Sequence, residues 1–144
     1  MVVLFIGSVL SFAPPRSYIS IIVNKDNPIG KLTDSEVKLY YLRKLKTRWP
    51  DINKNIKPAN RKSKCAEQDI FYSKVLGMTA DEVDKYFAQK EKESAQKPPD
   101  KFETDADILK FVSTEIGAIG FVNAKSTLSD DNTTNIKTLN TISN

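Results

Sequence analysis

The segment Tyr18-Ile-Ser-Ile-Ile-Val23 is rich in β-branched residues and nearly continuous in apolar character. Such a run can leave neither face in water, so it predicts a strand buried on both sides. A sheet containing it must be covered on both faces, which directs the chain toward a layered α/β architecture. The 144 residues suit one such domain.

The remaining chain supplies covering layers in alternation. After turn residues from Asn24 to Gly30, Thr33 and Glu36 form a capping box, with Leu32 and Val37 at the hydrophobic-staple positions. The helix that follows carries Val37, Tyr40 and Tyr41 on its apolar stripe, and Trp49-Pro50 closes the region. Residues Asn55 to Asn60 read as a short edge strand, because Pro58 cannot donate to a ladder. A second helix is predicted from about Ser63 to Leu76, with Ala66, Ile70, Phe71 and Val75 inward and Gly77 as its stop. Thr79 and Glu82, with Met78 and Val83 as the staple, start a third helix. It is expected to fade into a solvent loop over Lys90 to Pro99. A fourth begins at Thr104, carries Ile108, Leu109, Val112 and Ile116, and stops at Gly117. Gly117 to Val122 reads as a turn into a strand. Asn123 to Asn135 reads as a loop and Ile136 to Leu139 as the last strand. The expected fold class is a mixed sheet flanked by helices.

The chain has no His, which removes the commonest general base and the commonest metal ligand. Its one cysteine, Cys65, can form no internal disulfide. With no His beside it and Glu67 nearby to raise its pKa, Cys65 reads as a small half-buried residue rather than a nucleophile. The acid pairs Asp81/Asp84 and Asp105/Asp107 fall in helix first turns, where they complement the dipole. These features argue against an enzyme, a metal site and a cofactor.

Charge is unevenly placed. Ten of the 22 basic residues, against the single acid Asp51, lie between Lys38 and Lys64. Arg43, Lys44, Lys46 and Arg48 form one cluster, readable as a docking surface for an acidic partner or as cations at a helix carboxyl end. Tyr40, Tyr41 and Trp49 read as core or edge packing rather than a nucleic-acid stacking surface. Val2 to Leu10 is a short apolar run followed by Ser11-Phe12-Ala13, which reads as a secretory signal over residues 1–13, with a buried first strand as the alternative. The run is too short to span a membrane, and residues 14–144 would form the mature, exported domain.

Taken in order, several pieces carry a resemblance. They are Val-Asn-Lys-Asp-Asn-Pro (Val23 to Pro28), Lys31-Leu-Thr-x-x-Glu-Val37, Trp49-Pro50 and Ile-Lys-Pro-Ala-Asn-Arg (Ile56 to Arg61). Phe71-Tyr-x-Lys-Val-Leu-Gly77, Pro98-Pro99 and Gly117-Ala-Ile-Gly-Phe-Val122 follow. Over roughly Tyr18 to Leu139 the chain resembles the short members of the phosphate ABC transporter substrate-binding family. The resemblance implies a type II periplasmic-binding-protein-like fold, about one lobe of the usual two, and a bacterial periplasmic location. It also implies an anion held by an Arg and a Ser-Gly-Thr turn at a helix start, where N–H groups and the helix dipole favour negative charge. Arg61 matches that Arg, but the turn falls on Cys65, Ala66 and Glu67, and Ser63 is the substitute hydroxyl. A carboxylate close to the anion would oppose it. Two functions follow as expectations: a non-enzymatic module binding phosphate or another oxyanion weakly near Arg61, or a periplasmic or envelope protein-interaction domain that has lost the anion.

Overall fold

The computed structural model describes residues 16–44, 47–128 and 131–144. The apolar run is strand β1 (Tyr18–Asn24), and it lies inside a five-stranded mixed sheet. Helix α1 (Asp34–Tyr41) follows, then β2 (Lys57–Arg61) and α2 (Ala66–Ile70), which passes into a π-helical turn (Phe71–Leu76). Then come α3 (Ala80–Ser94), β3 (Asp100–Phe102), α4 (Asp105–Thr114) and β4 (Ala118–Asn123). Two 3-10 turns, Ala124–Leu128 and Asp131–Asn135, lead to β5 (Ile136–Ser143). The strand order is β3-β2-β4-β1-β5. β2 runs parallel to β3 and β4, whereas β1 is antiparallel to β4 and β5.

The alternation of β1 explains its composition. Ile19, Ile21 and Val23 enter a core shared with Val37, Tyr41, Phe71 and Val83 on one face. Ile22 packs on the other face with Ile108, Leu109 and Val112 of α4. Period-two alternation thus serves two cores, and no β1 position after Tyr18 is left in water. The Tyr41 hydroxyl donates to the Ala59 carbonyl at 2.8 Å and lies 3.2 Å from that of Ile119, tying α1 to β2 and β4. Burial holds that hydroxyl well above its ordinary pKa. On the other side, the Asn24 amide donates to the Val112 and Ser113 carbonyls at the end of α4, satisfying groups that a helix leaves unpaired.

Several expectations are corrected. β2 is an interior strand, not an edge. The Lys57 N–H bonds toward β4, to Gly117 O at 2.9 Å, so the position of Pro58 faces the β3 side. There the ladder begins only at Ala59, opposite Asp100, so the missing Pro58 N–H is never required. The second helix starts at Ala66 rather than Ser63. The third continues to Ser94, through part of the expected loop, because Gln89 to Glu93 are strong helix formers and Gln89 reaches Glu93 at 2.7 Å. The fourth ends at Thr114, before Ile116. The region 124–135 holds two 3-10 turns, and the last strand extends to Ser143. The apolar run Val2 to Leu10 and the cleavage site after Ala13 lie outside the described residues.

Ala95 ends α3 in the left-handed region, at φ 55°. A methyl side chain is disfavoured there and glycine is not. Ala95→Gly is therefore expected to stabilise the fold by about 1 kcal/mol, raising the melting temperature by about 3–5 °C. Thermal unfolding followed by circular dichroism checks this, and an unchanged or lower midpoint would contradict it.

Candidate functional site

β2 and β4 deliver their carboxyl ends to the same edge of the sheet, where α2 and α4 begin. In open α/β sheets this edge is the usual ligand position. Asn60, the penultimate residue of β2, is buried and organises the edge. Its amide nitrogen donates to the Tyr72 hydroxyl at 2.8 Å, and its oxygen accepts from the Gln68 amide at 3.4 Å. Gln68 also donates to the Arg61 carbonyl at 2.9 Å. This buried, mutually satisfied network fixes the end of β2 against α2.

Arg61 extends from that fixed point toward α4. Its Nη1 donates to Asp105 Oδ1 at 2.8 Å and its Nη2 to the Glu103 carbonyl at 2.7 Å. The Arg61 and Asp105 side chains are only 15% and 14% exposed. The second Asp105 oxygen accepts from the Asn123 N–H at 2.8 Å and from the Ser126 hydroxyl at 3.0 Å. Asp105 is thus a hub joining the starts and ends of three elements. Arg61 Nε is buried without a hydrogen-bond partner among the described residues, so one guanidinium donor is still uncommitted.

The expected turn residues lie beside this pair. Cys65 caps α2 and is half-buried. Burial pushes its thiol up, the Gln68 backbone N–H and Arg61 pull it back down in part, and Glu67 raises it again. This environment opposes a thiolate nucleophile. Glu67 accepts from the Asn123 side-chain amide at 3.3 Å, which places a second carboxylate at the same edge. Ser63 and Ala66 are exposed. The structure therefore brings Arg61, Cys65 and Glu67 within electrostatic reach of one another. It adds Asn60, Gln68, Asp105, Asn123 and Ser126, which the sequence reading did not place in the site. The first-turn acid Asp105 was visible in the sequence, but nothing local announced a partner 44 positions away. No group of three or more metal-ligating side chains occurs among the described residues.

The basic cluster divides among three places. Arg43 lines a cavity at the opposite end of β2. The Lys44 ammonium stands over the Tyr86 ring, 5.9 Å from its centroid. Arg48 bonds Asn53 beside a neighbouring recess, and Lys46 lies outside the described residues. Tyr40 and Trp49 pack against each other, and Trp49 donates to the Gly117 carbonyl at 2.8 Å, so the aromatic residues are core, as expected.

With this geometry, the fold class is α/β, a mixed five-stranded sheet flanked by helices. Among solved structures, the chain is similar to an ABC-type phosphate transport receptor from Vibrio cholerae, at 21% identity and TM-score 0.64. The match covers 86% of this chain and 46% of that one. A putative phosphate ABC transporter substrate-binding protein with bound phosphate from Clostridium perfringens matches at 20% identity and TM-score 0.61, covering 86% and 44%. A possible phosphate binding protein from Planctomyces limnophilus matches at 12% identity and TM-score 0.57, covering 86% and 41%. The chain thus spans less than half the length of these structures, and the likeness establishes the fold. No family model and no curated relative matches. No helix among the described residues is long and apolar enough to cross a membrane.

Proposed function

We propose that this chain is a non-enzymatic, exported solute-binding module that takes phosphate or another oxyanion weakly at Arg61, in competition with Asp105. The observation that carries this reading is the placement of Arg61. It sits at the carboxyl end of a parallel strand, beside two helix starts, with Nε uncommitted. That placement puts a positive guanidinium, its Nη groups shared with Asp105 and Glu103, where an open α/β sheet offers a ligand position. The likeness in fold to phosphate receptors supports the same ligand class.

Asp105 sets the strength. An incoming anion must share or displace a carboxylate already held at 2.8 Å, and Glu67 adds a second negative charge nearby. A ligand that carries a proton, as phosphate does near neutral pH and sulfate does not, can donate to one of these carboxylates rather than be repelled by it. Phosphate is therefore expected to bind with a dissociation constant of about 1 mM, and sulfate more weakly. Calorimetric titration of the wild type and of Arg61→Ala checks this. Saturable phosphate binding that Arg61→Ala abolishes supports the proposal. The absence of heat or a melting shift at millimolar phosphate would overturn it.

A further inference from the structure

The amino end of β2 carries a second feature that the phosphate reading does not use. Lys57, at the start of β2, lies four residues from Arg61, about 13 Å along the strand. Around it is a cavity of about 610 Å3, lined by Arg43, Lys57 and Lys97 and walled by Pro58, Pro98 and Phe111. That volume lies within the range of small-molecule pockets.

Arg43 is the informative residue. It follows the end of α1 in the left-handed region, at φ 53°, where its N–H bonds the Tyr40 carbonyl and the Lys44 N–H bonds that of Leu39. Its guanidinium is partly buried, its Nε has no hydrogen-bond partner among the described residues, and it belongs to none of the ion pairs found there. Asp100 is close enough to act on it electrostatically, but burial dominates and lowers the Arg43 pKa. A half-buried guanidinium whose Nε lacks a partner is stabilised by an anion that completes its hydrogen bonds. The other acid on the cavity, Glu115, is already neutralised by Lys57 at 2.9 Å.

We propose that this cavity is a second binding site, distinct from the Arg61 edge, for a small organic carboxylate with an apolar body. The carboxylate pairs with the Arg43 fork, with Lys97 nearby. The apolar body rests on Pro58, Pro98 and Phe111. A fork of two parallel N–H donors matches a carboxylate, and the mixed cationic and apolar lining favours such a ligand over an inorganic ion.

Benzoate, with neutral benzyl alcohol as the control, tests this by NMR titration of the full chain. Saturable benzoate shifts centred on Phe111 and the Arg43 Nε–H are expected, with a dissociation constant of about 1 mM and benzyl alcohol about tenfold weaker or more. Arg43→Gly removes the guanidinium and suits a left-handed backbone. It should fold at least as stably as the wild type and bind benzoate about tenfold more weakly or worse. Arg61→Ala should retain benzoate binding. Non-saturable shifts, equal binding of benzyl alcohol, binding retained in a folded Arg43→Gly, or binding lost in Arg61→Ala would each overturn the proposal.

Discussion

Gly117→Ala should destabilise the protein by about 3 kcal/mol or more, the largest effect expected of any single methyl addition here. A Cβ at this position would stand 2.1 Å from the Asn55 carbonyl oxygen and 3.3 Å from its carbon. Both are backbone atoms, and the segment cannot easily retreat. The Gly117 carbonyl accepts from the Lys57 N–H at 2.9 Å and from the buried Trp49 indole at 2.8 Å. Moving Gly117 away from Asn55 would break the junction that sets the register of β2 against β4. The melting temperature should fall by about 10 °C or more. Gly120→Ala is the natural comparison. Its closest contacts are side-chain methyls of Ile108 and Val112, at 2.7 and 3.3 Å; these overlap less than the 2.1 Å backbone contact at Gly117, so its cost should be smaller. A Gly117→Ala midpoint close to the wild type, or above that of Gly120→Ala, would show that this junction is not rigid.

Phe71→Ala should cost about 3–5 kcal/mol. Phe71 is fully buried at the centre of the larger core. Its ring stacks on Phe121 with centroids 4.2 Å apart and planes 8° apart, and Tyr41 lies 4.5 Å away. Truncation removes both the buried area and the aromatic contacts, and the surrounding strands and helices cannot close the void. Phe71 also opens the π-helical turn that carries Tyr72, the hydroxyl partner of Asn60. Loss of the ring should therefore loosen the Arg61 edge as well as the core. Urea denaturation is the appropriate measurement, with Phe71→Leu expected to recover part of the loss. A cost below about 1 kcal/mol for Phe71→Ala would contradict the central place given to this ring.

The parts of this fold that were legible in the sequence rest on local chemistry. The Thr33–Glu36 box forms in both directions, each backbone bond at 3.2 Å. At the third helix, Thr79 accepts from the Glu82 N–H at 3.2 Å. The two-faced burial of β1 followed directly from its composition. What remained hidden depended on distant partners. β3 has three residues, two of them charged, too few for alternation to register. Pro58 marked β2 as an edge strand, because the sequence does not reveal how far β3 extends along it. In the candidate site, Arg61, Cys65, Ala66 and Glu67 were expectations of the resemblance to phosphate binders and not of any local chemistry in the chain. The pairing of Arg61 with Asp105 was not legible, because it is created by the parallel packing of β2 and β4 and the start of α4 between them. That pairing means that any anion proposed for Arg61 would have to compete with Asp105.

The contest itself can be measured. Asp105→Asn keeps the size of the side chain and one acceptor oxygen while removing the charge that competes for Arg61. Phosphate titrated calorimetrically into this variant should bind about tenfold more tightly than into the wild type, a gain of about 1.4 kcal/mol, and the double variant with Arg61→Ala should bind none. Unchanged or weaker phosphate binding in a folded Asp105→Asn protein would contradict the account, because Asp105 would then not be what limits the anion at Arg61.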